Sequence, residues 1–291
     1  MKAAQLFKPA IWSYALQRIC TWYPMRRLLS TLLVASRPRY PGLLTLDGIR
    51  LRDELRRDGV AFLPNFLGQD AIDRIVAHLD GARLRERFPP CRQDFTIERV
   101  PQNVHVAEYS TDHIVGCPDV LAIANHPRLL ETAASYLGCR PTISNITIWW
   151  SLPADGTAQE AENYHRDVDD WRFVKFFAYL TDVDTADGAH CFVKGSHRSW
   201  RFLRRRRIPD WEIEKAFAAA ERLEISGRRG DAFLEDTFGL HKGKPPTRRR
   251  RLLYQVEYSV GPIAVYTYNP RDWQGHAAQY DPYINRLYVR Q

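Results

Sequence analysis

The stretch that most limits how this chain can fold is Asn163-Tyr164-His165-Arg166-Asp167, followed by the apolar run Trp171-Arg172-Phe173-Val174-Lys175-Phe176-Phe177-Ala178-Tyr179-Leu180. In an extended segment His165 and Asp167 are two residues apart and point to one face, so an imidazole and a carboxylate reach one ion together. A third donor comes from far along the chain. His241, in Gly239-Leu240-His241-Lys242-Gly243, stands before the strand-like Leu252-Leu253-Tyr254-Gln255-Val256-Glu257-Tyr258. Two His and one carboxylate on one face, with three positions left open, suit non-haem Fe(II) and oxygen chemistry.

Spacing alone does not single out His165, because His78-Leu79-Asp80 repeats it. That copy lies in Ala71-Ile72-Asp73-Arg74-Ile75-Val76-Ala77-His78-Leu79, whose apolar residues recur at helical spacing, so its His and Asp diverge around a helix. His165 differs in its strand setting, in the downstream Gly195-Ser196-His197 turn, and in a distal His followed by basic residues leading into a strand. His105, His113, His126, His190 and His276 have no partner at ligand spacing and read as surface or hydrogen-bonding residues.

The order His165-x-Asp167, then Tyr179-Leu180-Thr181-Asp182-Val183-Asp184, then Val193-Lys194-Gly195-Ser196-His197, then His241 and Arg250, resembles the phytanoyl-CoA dioxygenase family of Fe(II)- and 2-oxoglutarate-dependent oxygenases. The likeness reaches back to Asp58-Gly59-Val60-Ala61-Phe62-Leu63-Pro64, similar to the family's opening strand, and covers most of residues 47 to 260. It implies an α+β chain built on a double-stranded β-helix, a jelly-roll barrel with flanking helices. It implies His165, Asp167 and His241 as iron ligands, with 2-oxoglutarate bound through its C1 carboxylate and keto oxygen and O2 at the last position. An arginine fork would hold the far carboxylate of that cosubstrate. Alignment with the family's strand favours Arg250, with Arg248 sharing its parity, and leaves Arg249 and Arg251 facing outward. Phe177 aligns with a cosubstrate-contacting aromatic, which turns Lys175 inward, where its ammonium would hold a carboxylate of 2-oxoglutarate or of the substrate; if the other face of the strand points in, Lys175 is a solvated surface charge. His197 belongs to a turn the family uses structurally. Because Asp167 fills the place that halogenating relatives leave open for chloride, the resemblance implies hydroxylation. Two other readings stay open: a non-catalytic β-barrel that binds anionic partners, and a sugar-binding or isomerase-type barrel with another divalent metal.

A net charge of +8 comes mainly from arginine clusters at 204–207 and 248–251. Arg198, Arg201 and the first cluster would line the approach to the iron and favour a polar or anionic small-molecule or carrier-linked substrate, or else form a solvated loop. No nucleic-acid partner is expected. Five scattered cysteines form no Cys-x-x-Cys pair, so neither a disulfide framework nor a zinc site is suggested, and a cytoplasmic setting is the simpler expectation. No apolar run approaches the ~20 residues that span a bilayer. Met25 to Ala35 imitates a short signal peptide, but it follows 24 other residues.

Residues 1–40 form an expected N-terminal helical extension, interrupted at Pro24, and 41–291 one oxygenase domain. Residues 5–35 would pack on the barrel, pair with another copy, or rest on a membrane surface. In the domain, Asp47 is expected to cap a helix over 48–58. A strand is expected at 60–63, long helices at 69–87 and 120–137, and strands at 142–150, 171–183, 250–260 and 263–268. The polar members of 142–150 do not keep one phase.

Overall fold

The computed structural model describes residues 9–88, 93–153, 157–272 and 279–290, with side chains from Tyr14 onward. Cys91, His276 and part of the 153–162 loop lie outside the described residues. Helices α1 (Pro9–Ile19), α2 (Tyr23–Ala35) and α3 (Leu46–Asp58) lead into strand β1 (Val60–Leu63) and α4 (Gln69–Leu79). Then come β2 (Leu84–Glu86), β3 (Val106–Tyr109), α5 (Thr111–Val115), α6 (Pro118–Ala124), α7 (Pro127–Leu137) and β4 (Thr142–Ser151). The second half is mostly strand: β5 (Phe173–Tyr179), β6 (His190–Val193), α8 (Asp210–Ala216), β7 (Arg222–Ile225), β8 (Ala232–Glu235), β9 (His241–Gly243), β10 (Arg251–Ser259) and α9 (Pro282–Asn285).

Seven strands form one sheet in the order β1-β8-β5-β10-β4-β3-β2, and β7-β6-β9 form a smaller one; neighbours run antiparallel throughout. This is the double-stranded β-helix with flanking helices that the resemblance implied. Alternation along β5 and β10 divides the large sheet into two chemically distinct faces. Val174, Phe176 and Ala178 of β5, with Leu252, Tyr254, Val256 and Tyr258 of β10, join the helix residues Leu51, Leu55, Ile72 and Leu129 in the main core. Each large aliphatic side chain buried there contributes roughly 1.5–3 kcal/mol. Tyr254 and Tyr258 spend their hydroxyls on the carbonyls of Val120 and Ala124, which ties α6 to the sheet. The opposite face looks between the sheets. There Phe177, Tyr179, Trp149 and Leu253 meet Phe192 and Ile225 of the small sheet.

Several local expectations change in the fold. Thr45, not Asp47, caps α3: its hydroxyl accepts from the Gly48 N–H at 3.1 Å and donates to Glu131. The helix expected over 69–87 stops at Leu79, because Gly81 turns at φ 65° and Leu84–Glu86 pair with β3. The 120–137 helix is two, α7 restarting at Pro127, whose ring cannot continue the preceding helix. Polar residues of β4 change phase because the register with β10 shifts between Glu257 and Tyr258, passing over Ser144. The 263–268 stretch is irregular rather than a strand; Pro262 offers no N–H for a ladder.

Candidate active site

The His165 segment is not a ladder strand, yet backbone pairing fixes it. His165 and His241 exchange both N–H···O bonds, at 3.0 and 3.1 Å, and the Asp167 N–H donates to the Thr237 carbonyl at 2.9 Å. The extended alternation then brings the three side chains together, with candidate ligand atoms all within 4.8 Å of one another. Arg166, between them, points away into the protein. Its guanidinium donates to the carbonyls of Ser196, Phe238, Ser199 and Arg201 and so holds the 196–202 turn against the site.

The tautomers follow from the partners. Nδ1 of His165 faces the Asn163 carbonyl at 2.9 Å, and Nδ1 of His241 faces the Gly239 carbonyl at 3.0 Å. A carbonyl only accepts, so each Nδ1 carries the proton and each Nε2 presents its lone pair. Those Nε2 atoms lie 3.4 Å from Asp167 Oδ1 and Oδ2. Four acceptor atoms converge, and only a cation or a proton reconciles them. Asp167 stays ionised against the cost of its burial because the Lys175 ammonium and His241 hold its carboxyl well below the usual range. Burial works against a charge on His241, but Asp167 raises its pKa; burial and the neighbouring His241 lower that of His165.

Lys175 sits on the inward face of β5, with its Nζ 2.7 Å from Asp167 and 2.8 Å from Asp169. Glu257, wholly buried on the facing strand, is 3.9 Å away, and burial pushes its carboxyl well above the usual range even so. Phe177, two residues along, stacks on Phe233 with centroids 5.1 Å apart and lies 5.1 Å from the His190 ring. His190, read from sequence as an ordinary histidine, lines the same cavity, with Nε2 3.0 Å from Glu235. Burial makes both neutral: it drives His190 well below its usual pKa and pushes Glu235 up to about 8.

The arginine expected from sequence does not face the cavity. Arg250 is exposed, donating to the Ile97 carbonyl over the ring of Trp150, and Arg248 pairs with Asp184 and Asp187. Arg251, expected to face outward, is 2% exposed and lies in the cavity with the His-Asp-His cluster. It donates to Ser151 Oγ at 2.9 Å, packs near Gly243 of the His241 strand, and leaves Nε and Nη1 without a hydrogen-bond partner among the described residues. Leu252 and Tyr254 face the helices, so Arg250 shares their side of the sheet and Arg251 the other. A signal was present in the sequence: Gln255 and Glu257, polar in a strand whose other face is apolar, share parity with Arg251.

The remaining expectations divide in the same way. His197 is buried in its turn, 3.3 Å from the Arg56 carbonyl, away from the cluster. Arg206 pairs with Glu212 and Arg207 with Glu160; Arg198 and Arg201 donate to backbone carbonyls, and none of these four lines the cavity. That cavity holds about 490 Å³ and takes its rim from Arg87, Glu108, Asp112, Asn145, Tyr266 and Asn269.

The residues present fit an iron and a dicarboxylate. Two neutral imidazole lone pairs and a carboxylate converge, and a buried guanidinium with two nitrogens unpaired among the described residues lies in the same space. Comparison with known proteins agrees. The chain is 25% identical over 173 residues, 52% of its length, to the Fe(II)/2-oxoglutarate-dependent dioxygenase nvfF of Aspergillus novofumigatus, and it spans about half (54%) of that relative. Among solved structures, EctD from S. alaskensis with bound Fe is 17% identical with a TM-score of 0.55, covering 87% of this chain and 93% of that one. The epimerase SnoN from nogalamycin biosynthesis, in complex with Fe3+ and alpha ketoglutarate, is 18% identical with a TM-score of 0.52, covering 72% and 82%. These two share the fold. The phytanoyl-CoA dioxygenase (PhyH) profile matches residues 55–251, from the helix before β1 through Arg251, and the chain therefore belongs to the phytanoyl-CoA dioxygenase family.

Proposed function

We propose that this protein is an Fe(II)- and 2-oxoglutarate-dependent oxygenase that hydroxylates a polar small-molecule or carrier-linked substrate. The observation that carries this reading is the convergence, in one cavity, of the His165-Asp167-His241 cluster and the buried, half-unpaired Arg251 guanidinium. His165, Asp167 and His241 hold Fe(II) as two neutral donors and one anionic donor. When bound, the iron and 2-oxoglutarate supply the oxidising equivalent that breaks a C–H bond, with O2 consumed and succinate and CO2 released. Arg251 takes the distal carboxylate of the cosubstrate, because a buried guanidinium with no carboxylate partner has every reason to bind one. Phe177 and Leu253 wall that pocket and exclude water. Lys175 keeps Asp167 charged and turned toward the histidines, a positioning role rather than the cosubstrate contact expected from sequence.

A cavity of about 490 Å³ is of small-molecule size. Its polar rim supports a polar substrate, while none of the 204–207 arginines lines it and they give no reason to require an anionic one. A non-catalytic binding protein has no physical need for this cluster together with Arg251. Asp167 fills the position a halide would need, which supports oxygen transfer over halogenation.

The test is succinate release from anaerobically Fe(II)-loaded protein given 2-oxoglutarate and O2, with and without a metabolite pool. Wild type should form succinate, and Asp167→Ala should lose both specific Fe(II) binding and turnover. With 18O2 the label should enter product or succinate, and chloride should leave the product unchanged. A chlorinated product, or an isomerised product with no net oxidation, refutes hydroxylation.

A further inference from the structure

The N-terminal hairpin turns a row of large apolar side chains to solvent. On α2 the fully buried residues are polar, Arg26 and Ser30 at i and i+4, while Leu33 and Val34 near its end are partly buried against the main core. Arg26 donates to the carbonyls of Gln17, Asp170 and Trp171 and lies over the Phe238 ring at 4.4 Å. On α1, among the side chains described from Tyr14 onward, the buried one is Gln17, which donates to the Asp169 carbonyl at 3.2 Å. The solvent side carries an apolar row of its own. Leu16, Ile19, Trp22, Met25, Leu28 and Leu32 are exposed, Ile19 at 82% and Leu32 at 65%, and follow one another at intervals of three or four residues. A helix that needed only to pack on its own domain would keep such a row on its inner side. A contiguous exposed apolar row of this kind marks an interaction surface.

Charge identifies the partner. Residues 1–46 contain seven Lys and Arg and no Asp or Glu. Arg18 and Arg27 flank the row, and Arg205 of the 204–207 loop lies beside Arg18 and Tyr14. A second copy of this chain would bring the same cationic segment against itself across a twofold axis, a repulsive arrangement. A nucleic acid has no use for six exposed aliphatic and aromatic side chains. An anionic bilayer surface satisfies both halves: headgroups meet the arginines, Trp22 sits at the interface, and the aliphatic row enters the acyl boundary. No helix among the described residues is long and apolar enough to cross a membrane, so the hairpin would lie in the surface.

We propose that α1 and α2 form an interfacial anchor that docks this protein on an anionic lipid surface through Leu16, Ile19, Trp22, Met25, Leu28 and Leu32, with Arg18 and Arg27 at the headgroups. The anchor grips the catalytic domain at 169–171, the segment that follows Asp167 and carries the Asp169 partner of Lys175. Docking therefore holds the cavity at a fixed orientation to the bilayer.

Vesicle flotation of the full-length protein tests this without any turnover assay, so its outcome is separate from the oxygenase reading. Phosphatidylcholine vesicles are compared with vesicles in which part of the lipid is phosphatidylglycerol. Wild type should float with the anionic vesicles and lose association as salt rises. Ile19→Ser with Leu28→Ser should weaken it about tenfold or more, from lost apolar burial. Arg18→Glu with Arg27→Glu should do so by a comparable factor, from lost headgroup attraction. All four positions are solvent-exposed or partly so, and unchanged thermal unfolding would show that the fold is intact. Three results overturn the proposal: no association with anionic vesicles, association indifferent to the Ser substitutions, or a concentration-dependent dimer that those substitutions abolish in the absence of lipid.

Discussion

Two regions of this protein reverse the ordinary distribution of polarity, in opposite directions. Between the sheets, Lys175, Glu235, Arg251 and Glu257 are buried, whereas on the N-terminal hairpin six large apolar side chains face water. Burying a charge is costly unless it is paired, and exposing a row of apolar groups forgoes their burial. The interior case divides further. Lys175 is compensated by Asp167 and Asp169 at hydrogen-bond distance, and Glu235 avoids the cost by remaining protonated. Arg251 has neither remedy beyond Ser151. The difference teaches where to look for ligands: the Arg251 guanidinium inside and the apolar row outside are two departures from ordinary burial that the described residues leave uncompensated, and they are the two that the proposals above fill.

The largest expected effect breaks the interior half at Arg251. Arg251→Ala should weaken 2-oxoglutarate binding by about 2–5 kcal/mol, roughly thirty- to several-thousandfold, because a buried charged partner is lost. Arg250→Ala, on the outer side of the same strand, should bind it as wild type does. Calorimetric titration of the Fe(II)-loaded or metal-substituted protein separates the two, and the reverse ranking would return the role to Arg250.

A smaller effect sharpens the claim that Glu235 is buried neutral. Its folded value of about 8 lies above the ~4.3 of an unfolded glutamate, so between the two the unfolded chain has released a proton that the folded chain keeps. The contribution is therefore full below the unfolded value and is lost progressively as pH rises toward 8. Glu235→Gln removes that dependence. On the metal-free protein, its unfolding free energy relative to wild type should climb by about 2–4 kcal/mol from pH ~5 to pH ~8. A difference that stays flat with pH would mean the carboxyl titrates as if exposed.

The smallest effect concerns the exposed arginines that do have partners. Arg206→Ala and Arg207→Ala remove ion pairs to Glu212 and Glu160 at the solvent-screened surface, should leave the fold's stability nearly unchanged, and should leave substrate KM unchanged. A rise in KM that salt reproduces would show that the cluster steers substrate after all.

Much of the site was legible in the chain. His165 and Asp167 are linked by covalent alternation, and their approach to His241 needed only that two extended segments pair. Lys175 and Phe177 were readable by the same parity once one face of β5 was assigned. Arg251 was misread because four consecutive arginines carry no internal sign of which one starts the strand. The bulge at Ser144, the break after Leu79 and the restart at Pro127 depend likewise on partners distant in the chain.

What the sequence determined by itself was the set of donors, the strand alternation and the family pattern that together imply iron, 2-oxoglutarate and a double-stranded β-helix. Only the tertiary structure decided which side of β10 looks into the cavity, because helices α3, α4 and α7 cover the Leu252-Tyr254-Val256 face and leave Arg251, Leu253 and Gln255 to the interior. It also decided that the hairpin turns Arg26 inward and its aliphatic row outward. A residue's neighbours along the chain fix the period of its side chain; the phase is set by what packs against the element, and that is a property of the whole fold.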